Sequence, residues 1–323
     1  MFDLIDRIVG LDIGQRGVAG LLEPARAHAG GPICEVAAKP LAGLGVGDVV
    51  FILTGSLTRA GVSEEIAEND GPIGVAALAR AITIGFNAIP VVLVDAPIMG
   101  KVAAMIERAG PNVVSFEQAR IATETPRFTA IAAMASCSDN DTTARAECKA
   151  LIDDYRPVAV ISVERAGMTA DGTYRNALGQ DYSAGRARLD YVISEAAARG
   201  IPTVGVGDGG NEIGMGAVKA AVAEHVPHGE VLCAELATDV LLPAGVSNWG
   251  CYGICAALAI IAGNGELAHT AALERRLIEA APTLGLVDGM SGRLEPTVDG
   301  MPIEVHVGIV ELLSAAVRRG LAG

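Results

Sequence analysis

The sequence predicts an α/β protein: a mostly parallel, doubly wound, Rossmann-like sheet with helical elaborations around it. Three observations carry that expectation. Short β-branched runs end in polar or glycine-rich turns, alanine-rich helical stretches follow those turns, and the run at residues 158–163 is continuously apolar but for Ser162 instead of alternating. The first two build βα units, and the third marks a strand buried on both faces, as a parallel sheet requires.

In chain order, residues 49–53 form the first strand, residues 54–71 a long loop, and residues 72 to 85 a helix with proline in its first turn, where a missing N–H does no harm. Strands at 91–94 and 112–115 flank a helix at 99–109. The apolar strand 158–163 opens into a loop at 164–182, then a helix at 183–199 stops at Gly200. Strand 201–206, the glycine turn 207–210 and a helix reaching His225 make the best-defined unit. Strands at 231–236 and 240–242 follow, then helices at 249–263, 267–280 and 302–319. With no internal repeat and no Pro/Ser-rich linker, residues 1–323 read as a single domain.

Charge and composition exclude several functions. Lys and Arg total 24 against 38 Asp and Glu, so the formal charge is −14 and a phosphate backbone is repelled. Five Phe, five Tyr and one Trp leave little stacking surface, so nucleic acid is not a partner. The richest apolar run, Ile254 to Ala262, is too short for a membrane span, and the first residues show neither a signal nor a transit pattern. Six scattered cysteines agree with a reducing compartment, the cytoplasm. Cys251 and Cys255 share a helix face with no His or carboxylate at ligand spacing, so they read as buried packing. A hydrophobic content of 51% in an acidic chain leaves room for a homo-oligomer interface. A small anionic amino acid is the partner that fits.

Ligands of parallel sheets bind outside the carboxyl ends of the strands, here in the loops 54–71, 164–182, 207–216 and 244–250. Gly205, Gly207 and Gly210 spell the dinucleotide pattern G-x-G-x-x-G, which allows a nucleotide-dependent oxidoreductase. Asp208 and Glu212 oppose a diphosphate there, and suit an ammonium group or a divalent ion. Asn69 or Asp70 could simply cap the following helix, and Asn248 or Ser247 the helix after it. Arg165 follows the buried strand and offers a forked donor to a carboxylate. Asp288-Gly289 and Asp299-Gly300 read as turns of a short hairpin, promoted only by proximity to the crevice. Lys219 reads as a solvated helix residue, and no organic cofactor is expected.

The combination Thr54-Gly55, Glu68-Asn69-Asp70-Gly71-Pro72, Glu164-Arg165-Ala166-Gly167, Ala170-Asp171-Gly172-Thr173-Tyr174, the run from Gly205 to Gly216 with Gly-Asp-Gly-Gly-Asn-Glu inside it, Gly245 to Gly250 and Pro296 to Gly300 resembles the D-glutamate cyclase family over nearly the whole chain. The resemblance is to the C-terminal domain of the vertebrate enzyme and to stand-alone bacterial proteins. It implies conversion of D-glutamate to 5-oxo-D-proline and water, a lyase-type lactam formation. Asn69 stands where the family often has threonine.

Ring closure needs a deprotonated α-amine, an activated γ-carboxyl and a proton for the departing oxygen. On the matched positions, Asp70, Glu164, Asp171 and Asp208 are the candidate catalytic carboxylates, and Asp208 with Glu212 would seat Mg²⁺ or Mn²⁺. Arg165 and helix N–H groups near Asn211 would receive the α-carboxylate, and Tyr174 and Asn176 the oxyanion. Thr54, Gly55, Gly71, Gly209, Gly210 and Asn248 complete the expected substrate contacts. The rival to catalysis is a protein that binds an amino acid or oxo-acid without consuming it.

Overall fold

The computed structural model describes residues 1–55 and 57–323. Helices α1 (Phe2–Val9), α2 (Leu22–Ala29) and α3 (Ile33–Ala42) precede the first strand. Then come β1 (Val49–Leu53), β2 (Ala67–Glu68), α4 (Pro72–Phe86), β3 (Ile89–Leu93), α5 (Met99–Ala109), β4 (Asn112–Val113), α6 (Phe116–Glu124), β5 (Ile131–Ala135), α7 (Asp141–Tyr155) and β6 (Ala159–Val163). The second half holds α8 (Asp190–Ala198), β7 (Thr203–Gly207), α9 (Lys219–His225), α10 (Gly229–Leu232), β8 (Val240–Pro243), α11 (Ser247–Ile261) and α12 (Ala271–Ala280). It ends with β9 (Leu286–Val287), the hairpin β10 (Thr297–Val298) and β11 (Met301–Pro302), and α13 (Ile303–Leu321).

Seven strands form one parallel sheet in the order β4-β5-β3-β1-β6-β7-β8. The chain winds outward from β1 to one edge, then returns to β6 and winds to the other. The fold is therefore the doubly wound α/β class that the apolar strands predict. Because successive side chains face opposite ways, Val50 and Ile52 of β1 enter one core while Val49, Phe51 and Leu53 enter the other. The first core packs α1, α3, α4, α5, α11 and α13 on one face; the second packs α6, α7 and α8 on the other.

Helix α11 is buried at every residue from Ser247 to Ala259, so it is a core helix and not an amphipathic one. It crosses α4 at a small residue: a Cβ at Gly74 would lie 2.8 Å from the Asn248 Cα. The two helices also cap each other. Asn248 Oδ1 accepts from the N–H groups of Gly71 and Gly74 at 3.0 and 2.6 Å, while Asp70 Oδ1 accepts from Asn248 N–H at 2.9 Å and Oδ2 from Ser247 N–H at 3.1 Å. Each satisfies amides that the other helix leaves without an intrahelical partner.

Several expectations about elements are corrected. Residues 231–236 are no strand: Gly229–Leu232 is a helical turn, and the chain then runs on to β8 in irregular form. The helix expected from Ser183 starts at Asp190, because residues 183–189 are held by side-chain contacts. No helix directly follows the Gly207–Gly210 turn; the chain folds back until Gly216–Val218. Strand β5, Ile-Ala-Ala-Met-Ala, goes unread because alanine suits helices better than strands, and its strand state comes from its partners β3 and β4. Cys251 and Cys255 are buried thiols in α11.

Replacing Asn248 by Ala should destabilise the protein by about 1–2 kcal/mol, the usual effect of removing a cap, read as a lower urea midpoint. An unchanged midpoint would refute the mutual capping.

Candidate active site

Strands β1 and β6 are neighbours, and the winding direction reverses between them, so the loops leaving their carboxyl ends part and leave a crevice. Thr54 leaves β1 and Glu164 leaves β6 at this point. Glu164 has φ +47°, a left-handed conformation unfavourable by roughly 1–2 kcal/mol for a residue with a Cβ. Its carboxylate accepts a 2.6 Å hydrogen bond from the Ser247 hydroxyl, on the first turn of α11. Gly71, φ +87°, lets the chain pass: a Cβ there would stand 2.9 Å from Glu164 Cβ and 2.8 Å from Thr54 Oγ1.

Carboxylate oxygens of Asp70, Glu164 and Asp208 all lie within 4.8 Å of one another. Burial, reinforced by neighbouring acids, pushes the proton affinity of all three up. Asp70 is raised to about 8 against the pull of the Asn248 N–H. Burial also raises Glu164 well above the ordinary range, with Glu212 and Asp70 adding repulsion. Asp208 is raised by burial although Arg16 opposes the shift. The nearest cation is Arg16, whose guanidinium bonds Asp208 at 2.7 Å and Asp299 at 2.9 Å. Asp208 above all holds that guanidinium protonated.

These groups form the floor of a cavity of about 480 Å³. Of the expected site residues, Glu164, Asn176, Asp208, Gly209, Asn211 and Glu212 line it, and Asp70 closes on them from below. Asn211 donates to Arg175 O and to Tyr182 Oη, and Asn176 accepts from Leu178 and Gln180 N–H. Glu212 turns back: its Oε1 accepts from Asp208 N–H at 3.1 Å and Gly209 N–H at 2.6 Å. Oxygens of Asp70 and Glu164 converge with Asp208, while Glu212, expected beside Asp208, lines the same cavity with Oε1 turned to its own loop.

Other expected contacts are displaced. Arg165 is 1% exposed and both arms of its guanidinium are engaged, gripping Asp95 at 2.5 and 2.9 Å with Thr54 O and Ala187 O as further acceptors, so it ties loops together behind the cavity wall. Tyr174 is buried and donates to Asp190 at 2.6 Å. Asp171 lies outside the cavity with its side chain 54% exposed; Thr169, Thr173 and Arg175 hydrogen-bond it and hold its proton affinity below the carboxylate range, which disqualifies it as a base. Gly55 fits against Arg165 and Asp95, and Gly210 against Val222, neither on the cavity wall. Thr54, Gly71 and Asn248 likewise lie behind the wall.

The glycine turn is no nucleotide cradle either. A Cβ on Gly205 would meet Ile213 O at 2.5 Å, and one on Gly207 would meet the Glu212 carboxyl at 2.8 Å, so the chain itself fills the space a pyrophosphate would need. The amides of Asp208 and Gly209 are taken by Glu212, and the turn does not open a helix.

Arg16 and Tyr182 join the cavity without having been singled out, and Glu68 and Asp299, read only within a motif and as a hairpin turn, join it with them. Arg16 follows an Asx-type turn in which Asp12 accepts from the N–H groups of Arg16 and Gly17, and the pattern Asp-Ile-Gly-Gln-Arg-Gly was the only local signal. Asp299, φ +54°, sits at the tip of the β10–β11 hairpin. Asp288 braces that tip through Gly300 N–H and Thr297 Oγ1, and His306 accepts from Trp249 Nε1 beside it. Proximity, the condition set for the hairpin, is met for Asp299.

Three carboxylates at this spacing make an oxygen-only donor set suited to a hard divalent cation such as Mg²⁺ or Mn²⁺. Their raised proton affinities describe the same fact: at neutral pH the cluster needs protons or a cation to offset repulsion. Among the described residues no helix is long and apolar enough to cross a membrane.

A family model described as "D-glutamate cyclase-like, C-terminal" matches residues 5–314. The chain belongs to this family. It is also similar to the Homo sapiens protein named "D-glutamate cyclase, mitochondrial", at 29% identity over 335 aligned positions. That alignment covers 96% of this chain and 50% of the relative, so the chain spans about half the length of the curated relative it matches.

Asp70 is raised to about 8 from an ordinary value near 4, so the folded state binds the additional proton. The stability this group contributes is complete below pH about 4 and is lost as pH rises through about 8. In chelator, Asp70→Asn should flatten the fall in unfolding free energy between those limits; an unaltered slope would remove Asp70 as its cause.

Proposed function

We propose that this chain converts D-glutamate to 5-oxo-D-proline and water. The observation that carries the reading is the meeting of Asp70, Glu164 and Asp208 beneath a cavity whose floor also offers the Arg16 guanidinium. Family membership supports the same chemistry.

The α-nitrogen bonds to the carbon of the γ-carboxyl group (Cδ), and a Cδ–oxygen bond breaks. The ammonium group loses two protons in forming the lactam, and both leave on the departing oxygen as water, so no proton is consumed overall. A group that takes a proton from nitrogen and returns it to oxygen near neutral pH should have a raised proton affinity. Glu164 meets that requirement: it lines the cavity, is held by Ser247, and binds protons well above the ordinary carboxylate range. Asp208 faces the substrate ammonium, and Asp70 closes the cluster behind them.

Arg16 takes over the role expected of Arg165. Its guanidinium already bridges two carboxylates in the cavity wall, and a substrate α-carboxylate would replace one of them. Holding the extended substrate folded brings the nitrogen and the γ-carboxyl carbon into near-attack geometry. A divalent ion held by Asp70, Glu164 and Asp208 would supply neutralisation of the γ-carboxylate. The cytoplasm remains the compartment we assign.

Glu164→Gln should lower turnover about 10²-fold or more while the melting temperature barely moves. Proton NMR of D-glutamate over time reads the outcome: undiminished conversion removes Glu164 from the reaction, and D-glutamate bound but never consumed by the wild type makes the protein a binder. Mn²⁺ should raise the wild-type melting temperature and leave that of Asp208→Asn unmoved; equal rises in both would place the ion elsewhere.

A further inference from the structure

The cavity differs from a glutamate-sized site in size, polarity and charge. Glutamate has only about ten non-hydrogen atoms, whereas about 480 Å³ lies within the range that accommodates drug-sized ligands. Its floor is polar and buried, with Asp208 and Glu212 each 1% exposed. Its mouth is apolar: Leu178 is 66% exposed, Met290 64%, and Ala177 and Pro227 stand beside them on the rim. These residues come from three separate loops, and exposed apolar side chains that gather around one opening mark a binding surface more readily than scattered ones do.

Charge points the same way. Glu68, Glu164, Asp208, Glu212 and Asp299 line the cavity against two guanidiniums, Arg16 and Arg59, among the described residues. Arg59 donates to Thr58 O and Gly289 O, and Arg16 is the group assigned above to the α-carboxylate. A free γ-carboxylate would enter a cavity lined by five carboxylates, where Arg59, held by backbone carbonyls at the exposed end, is the one guanidinium beyond Arg16 among the described residues. A γ-carboxylate is also a poor electrophile, and a γ-amide is both uncharged and more readily attacked.

We propose that the preferred substrate is a γ-amide of D-glutamate whose amine carries an apolar group, with the glutamyl part on the acidic floor and the apolar group between Leu178 and Met290. This rests on the cyclisation proposed above and alters only the leaving group. The α-nitrogen forms its bond to the amide carbonyl carbon (Cδ), and the bond from Cδ to the amide nitrogen breaks. The α-ammonium gives up two protons; one completes the departing amine, and the second protonates that amine or passes to solvent. The products are 5-oxo-D-proline and the free amine, with no redox partner required.

The test uses the full chain, with and without Mg²⁺, on γ-D-glutamyl-4-nitroanilide and on free D-glutamate, following nitroaniline by absorbance and 5-oxoproline by NMR. The expected kcat/KM for the anilide exceeds that for D-glutamate by at least about tenfold, the scale on which apolar contacts discriminate. Leu178→Asp combined with Met290→Asp should reduce that ratio about tenfold, whereas a general structural defect would lower both substrates together and leave the ratio unmoved. D-glutamate consumed while the anilide stays intact overturns this proposal and leaves the cyclase reading standing. If neither substrate is consumed, both fail.

Discussion

The site depends on the exchange of caps between α4 and α11. Asp70 precedes α4 yet accepts the first amides of α11, and Asn248 in the first turn of α11 accepts amides at the start of α4. A buried carboxylate at a helix N-terminus gains from the amide dipoles as well as from the hydrogen bonds. That gain helps to keep Asp70 below the cavity despite its raised proton affinity. Ser247, fixed by the same turn, then holds Glu164. Two helices, two loops and two of the three convergent carboxylates are thus positioned by one small network.

Around that network the protein concentrates negative charge where burial makes it most unfavourable. Asp70, Glu164, Asp208 and Glu212 all have raised proton affinity, with desolvation the leading cause in each. Glu164 adds a strained backbone angle. Such features persist only where the surrounding structure over-determines them, and here the surroundings are the buried Arg165–Asp95 fork, Gly71 and the start of α11. Arg165 contributes by rigidity. Removing one partner of a buried pair of this kind usually destabilises by about 3–5 kcal/mol, since the other charge is left uncompensated.

Much of the fold was legible because parallel strands write themselves as continuous apolar runs, and residues 49–53 and 159–163 appear where the pattern places them. The alanine-rich β5 was not legible, since its strand state is imposed by neighbours. In the site, Glu164, Asp208, Asn211 and Glu212 were readable as polar residues just beyond buried strands. Their roles were less so: Arg165 and Tyr174 have the donors a substrate wants, and Asp95 and Asp190 had already taken them.

The sequence by itself determined the α/β class, the carboxyl-end loops and the acid-rich character of the site, because hydrophobic period and residue type are local properties. Only the tertiary structure decided that Arg16 and Asp299, 283 positions apart by number (299 less 16), meet across Asp208. It also decided that Asp171 faces solvent and that Glu212 turns inward to cap its own loop. Hydrogen-bond and ion-pair partners distant along the chain settle those choices, and spacing along a single strand of sequence holds no record of them.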